Sequence, residues 1–117
     1  MTENPKSDFG DLLAALPDAS GAEQFKTLLA RAGVRILRIV SNGQASPPGE
    51  WLDQDDDEWV VVLAGRTGLQ IDGETDIRSL GPGEYAFLPA HFRHRVEWTD
   101  PEGPTVWLAI HMATATA

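Results

Sequence analysis

Two of the chain's three histidines stand three residues apart in "PAHFRHRVEW", Pro89 to Trp98, with Arg93 and Arg95 threaded among them. Imidazole changes charge near neutral pH and is the commonest metal ligand. His91, His94 and His111 are therefore the first candidates for proton transfer or metal ligation. Residues three apart on a strand point to opposite faces, so the HxxH spacing does not by itself build one site. The alternation sets His94, Val96 and Trp98 on one face, expected to look into a pocket. Arg93 and Arg95 fall on the other, as exposed ion pairs or a subunit contact. His91 precedes the strand in a turn, where a surface or pocket-rim position is expected rather than ligation.

A carboxylate of interest opens the run "EWVVVLAG". Glu58 shares its face with Val60, Val62 and Ala64, so it points inward with them. A lone buried carboxylate costs several kcal/mol, so Glu58 needs a partner: His94, a metal ion or a substrate cation. The preceding "DQDDDE" prompts a test for a calcium loop. Asp53, Asp55 and Asp57 suit the first three ligand positions, but Glu58 replaces the required Gly and Ala64 the required Glu. That test fails, and these aspartates read as exposed charge, one of them pairing with an arginine. His111 lies in "TVWLAIHM", apolar on both faces, so periodicity leaves its direction open.

The elements that must position these groups are mostly strands. "VRILRIVS", "EWVVVLAG", "LQIDGE", "GPGEYAFLP", "FRHRVEW" and "TVWLAIHM" are β-rich segments separated by turn residues, Asp72-Gly73 being a strong hairpin signal. Such spacing suggests an all-β sandwich or barrel. Ahead of them, "FGDLLAALP" suggests one or two short helical turns before Pro17. "SGAEQFKTLLARAG" presents Ser20 and Glu23 at capping-box spacing, which predicts a helix by local rules.

The chain has 117 residues, a formal net charge of -9 and no cysteine. Disulfides, thiol nucleophiles and zinc fingers are excluded. The negative charge disfavours nucleic acid and anionic membranes as partners. The opening residues show no apolar leader, which predicts a soluble cytoplasmic protein.

Taken in order, "WLDQDDDEWVVVLAG" (Trp51 to Gly65) and "GPGEYAFLPAHFRHRVEW" (Gly81 to Trp98) resemble the two motifs of the cupin superfamily, small jelly-roll β-barrels. Glu58 stands seven residues before Gly65, and His94 ends "PAHFRH", matching two of the family's four metal-ligand positions. The chain departs from the pattern elsewhere. Leu52-Asp53-Gln54 stands where the family carries His-x-His, and His91 replaces the Gly of the second motif.

The resemblance implies an all-β cupin barrel, with residues 1–20 as a flexible N-terminal extension and 21–117 as the barrel. It also turns residues 20–32 from helix to strand, pairing with "VRILRIVS" through Ala32-Gly33. In such a barrel the last strand lies beside the Glu58 strand, so His111 approaches Glu58. The implied metal set is Gln54, Glu58, His94 and His111, for zinc, manganese, iron or nickel. The pocket would be lined by Val60, Val62, Val96, Trp98 and His91. Two functions are then open: a metal-dependent enzyme of oxygenase or isomerase type, or a metal-free barrel that binds a small molecule. Four tryptophans are many for this length, and Trp59, opposite Glu58 in the alternation, suggests an outer-face contact in a homodimer.

Overall fold

The structure is a computed structural model, and it describes residues 6–114. Eight strands follow in order: β1 (Gln24–Arg31), β2 (Val34–Ser41), β3 (Asp57–Ala64), β4 (Thr67–Ile71), β5 (Arg78–Leu80), β6 (Tyr85–Leu88), β7 (His94–Thr99) and β8 (Thr105–Met112). They form a five-stranded sheet, β1-β2-β8-β3-β6, and a three-stranded sheet, β5-β4-β7. All strand pairings among the described residues are antiparallel. The fold is the all-β barrel expected. No helix among the described residues is long and apolar enough to cross a membrane.

Period-two alternation assigns the faces of the larger sheet. Glu58, Val60 and Val62 of β3 stand opposite His111, Ala109 and Trp107 of β8, and these opposite Arg35, Leu37 and Ile39 of β2. This face meets β4 and β7 in a core of Val60, Val62, Leu69, Ile71, Leu88, Trp107 and Ala109. The outer face carries Trp59, whose ring stacks on Tyr85 with centroids 5.4 Å apart. Tyr85 and Phe87 beside it are 62% and 52% exposed.

The capping-box segment is strand. β1 pairs with β2 from Gln24↔Val40 to Arg31↔Val34, and Gly33 makes the turn with φ +77°, a conformation glycine adopts without a Cβ clash. Glu23, which would have capped a helix, accepts a hydrogen bond from the Ser41 hydroxyl instead. Pairing with a distant strand thus overrides local helix chemistry. The one or two helical turns expected in "FGDLLAALP" reduce to a single turn. There Asp11 accepts bonds from the Leu13 and Ala14 amides through its side chain and carbonyl respectively. Such a local bond competes with helix propagation. The segment then crosses the barrel, where the Leu12 carbonyl accepts a bond from the buried Arg38 and the Ala19 carbonyl one from Gln44.

Candidate functional site

The two sheets enclose a cavity of about 470 Å³. Glu58 and His94 both line it, and they are among its most buried walls, 8% and 3% exposed. Gln54 and His111 line it too, with Arg35, Leu37, Leu52, Val60, Val96 and Trp107 among the other walls. The β3–β8 register settles what periodicity left open: His111 is directly opposite Glu58, and its Nε2 lies 3.5 Å from Glu58 Oε2.

Burial decides the charge of this pair. It pushes the Glu58 carboxyl up from its ordinary 4.5 to about 7. Burial first and the Arg35 charge second hold the His111 imidazole below its ordinary range, against a smaller opposite effect of Asp56. Both partners are therefore driven toward their neutral forms, and near pH 7 one proton is finely balanced on Glu58. His94 is fixed differently. Its Nδ1–H donates to the Phe92 carbonyl at 2.7 Å, which leaves Nε2 as the ring's acceptor. Its backbone is bridged to Leu52, whose N–H donates to the His94 carbonyl at 2.7 Å.

Three expected wall residues lie elsewhere. Trp98 sits off the cavity, on the outer side of β7 at 36% exposure. The cause is a β-bulge: Leu69 pairs with Val96 but Gly68 with Trp98, so Glu97 is an extra residue that inverts the alternation. Val62 is fully buried in the core beyond the cavity's end. His91 is exposed, and its Nδ1 bonds Asp53 Oδ1 at 2.8 Å with Asp55 3.6 Å from Nε2. The Asp53 bond chiefly raises its pKa. Val60 and Val96 do line the cavity.

The acidic loop is likewise tied down. Its partner is His91 rather than an arginine, His91 N–H donates to the Gln54 carbonyl at 2.7 Å, and Asp57 accepts the Ala90 N–H at 2.8 Å. His91 holds φ +62°, in the left-handed region where glycine is the natural occupant. Arg93 is outward as expected, 3.7 Å from Asp72 and over the Trp51 ring. Arg95 is mostly buried, its guanidinium donating to the Ser46 carbonyl at 3.0 Å. Arg35 was not singled out from the sequence. The trace was there: in "VRILRIVS" the alternation that sends Leu37 and Ile39 inward sends Arg35 with them.

The donor set does not complete the implied metal shell. Gln54, Glu58, His94 and His111 share the cavity, but among the described residues no three His, Asp or Glu side chains meet closely enough to hold a metal ion. Leu52, at the first ligand position, puts an aliphatic wall where an imidazole would bind.

The family model described as "Cupin domain" matches residues 37–111, more than half of the chain. The chain belongs to the cupin superfamily. This cupin is 49% identical to a Ralstonia eutropha JMP134 protein provisionally described as a mannose-6-phosphate isomerase, with a TM-score of 0.89 over 92% of this chain and 100% of that one. A cupin superfamily protein of Desulfitobacterium hafniense DCB-2 aligns with a TM-score of 0.73 at 17% identity, over 96% and 97% of the two chains. An RmlC-like cupin of Methanocaldococcus jannaschii with a double-stranded β-helix fold aligns at 0.64 and 12% identity, over 84% and 86%. The last two support the fold alone. Comparison with curated proteins finds no match.

Proposed function

We propose that this cupin is an isomerase-type enzyme that moves a proton between adjacent carbons of a small hydroxylated carbonyl compound, a sugar phosphate being the first substrate to try. The observation that carries the proposal is Glu58: a buried carboxyl in a cavity wall, poised at about 7. A general base works best when its pKa lies near the operating pH, because a useful fraction is ionised and the base is still strong. Ionised Glu58 removes the proton from the carbon next to the carbonyl, and the C–H electron pair moves to give an enolate. The Glu58 acid so formed returns the proton to the neighbouring carbon. Neutral His111, in contact with Glu58, can carry the hydroxyl proton that must also change places. His94 Nε2 accepts a hydrogen bond from a substrate hydroxyl and orients it.

The similarity to the Ralstonia protein supports this choice of substrate class. No step uses a metal, since among the described residues no three His, Asp or Glu side chains meet closely enough to hold one. The test is conversion of mannose 6-phosphate to its ketose isomer, followed with and without a chelator. Turnover by wild type that Glu58→Gln abolishes supports the proposal. No turnover of this or related aldose phosphates leaves a ligand-binding barrel without catalysis. We extend the proposal to a cytoplasmic homodimer joined through the outer face of exposed Tyr85 and Phe87 and half-buried Trp59. Analytical ultracentrifugation of wild type and Tyr85→Glu reads that directly, the variant sedimenting as a monomer.

A further inference from the structure

The cavity differs chemically between its depth and its mouth. Its depth holds Glu58 and His94, with half-buried His111 opposite Glu58. Its mouth holds Arg35, which is exposed, lines the cavity and stands opposite His111 in the β2–β8 register. Among the described residues the Arg35 side chain has no hydrogen bond and no ion pair, its backbone alone being paired, with β1 and β8. The contrast with Arg78, Arg93 and Arg95 is plain, since each of these lies within 4 Å of a carboxylate. The cavity's two carboxylates do not serve it: Glu58 faces His111, and Glu23 is engaged by Ser41. So Arg35 is the one arginine or lysine lining this cavity, in a chain whose net charge of -9 repels anions at longer range.

We infer that Arg35 anchors a single anionic group, a carboxylate or a phosphate ester, on a ligand whose reactive end reaches Glu58 and His111. The inference rests on the reading of the cavity as a ligand site. A guanidinium presents a planar fork of donors that matches either oxyanion in a two-point contact, and such charge-assisted bonds are stronger than neutral ones. Leu37 and Val60, one inward position further along β2 and β3, add an apolar wall beside the Arg35–His111–Glu58 row that suits the ligand's carbon skeleton. The ligand class is thus a small compound bearing one anionic group rather than a neutral sugar or an amine. At the cavity mouth the attraction is open to solvent, so binding weakens as salt rises.

The experiment is calorimetric titration of wild type, Arg35→Ala, Arg35→Lys and Arg78→Ala with inorganic phosphate, with acetate, and with mannose against mannose 6-phosphate. Arg78→Ala removes the same charge from the other sheet. The expected result is saturable, salt-sensitive anion binding by wild type and Arg78→Ala. Arg35→Ala weakens it at least about tenfold and Arg35→Lys by less, while mannose binds more weakly than its phosphate. Dependence on Arg35 for phosphate alone assigns a phosphate ester, and for acetate alone a carboxylate. Equal affinity of wild type and Arg35→Ala for both anions, or no anion binding by wild type, overturns the inference. Failure of the isomerase reading looks different: Arg35-dependent anion binding would persist without turnover.

Discussion

Glu58→Gln should make this protein more stable at alkaline pH, and by a calculable amount. The substitution keeps the shape of the side chain and removes its charge. Burial raises the Glu58 pKa from 4.5 to about 7, a shift of about 2.5 units, and each unit is about 1.4 kcal/mol. At 8% exposure, solvent screens little of this. The sign follows from proton binding. Between pH 4.5 and 7 the folded state holds the proton more tightly than the unfolded state, so stability falls as pH rises through that window and is level above it. Wild type should therefore lose about 2.5 kcal/mol relative to Glu58→Gln between pH 5 and pH 8. His111 has the opposite tendency, since a buried neutral imidazole costs stability as pH falls. It is present in both proteins, so the difference between them reads Glu58 together with its coupling to His111. Urea denaturation of both at pH 5, 6, 7 and 8 measures it. Parallel stability curves, or a wild type that gains on the variant as pH rises, would refute the reasoning.

Other outcomes follow from the same geometry. A Cβ at Gly68 would run into the Trp98 indole, so Gly68→Ala should cost about 1–3 kcal/mol by denaturation, and most of that cost should vanish in a Trp98→Ala background. His91 sits at φ +62°, so His91→Gly should melt several degrees above His91→Ala, which keeps a Cβ in the left-handed region; thermal unfolding of the pair checks it. Calorimetry with zinc and with manganese at pH 7 should show no saturable site that His94→Ala removes; such a site would restore the full ligand set.

Much of the barrel is legible in the sequence because its strands are bounded by turn residues whose chemistry is local. Asp72-Gly73 closes its turn with Gly73 at φ +91° and a bond from the Glu74 amide to the Ile71 carbonyl. The inward face of Glu58 and Val60 is equally readable, because alternation is a property of β3 alone. What escapes is set by partners far along the chain. Whether Ser20 to Ala32 is helix or strand is decided by β2, not by the segment's own capping residues. The direction of His111 is decided by its register with Glu58, since β8 is apolar on both faces. The bulge at Glu97 inverts Trp98 and leaves no mark in the hydrophobic pattern. Arg35 lay in plain view, but an arginine at the head of a strand reads as surface charge until a cavity is seen beside it.

The central claim is that Glu58 transfers a proton to and from carbon. Incubating the protein with mannose 6-phosphate in heavy water near neutral pD, and following the carbon-bound proton next to the carbonyl by NMR, tests it most directly. Wild type should replace that proton with deuterium, a chelator should leave the rate unchanged, and Glu58→Gln should slow exchange at least about a hundredfold. Equal exchange by wild type and Glu58→Gln, or none by wild type, would contradict it.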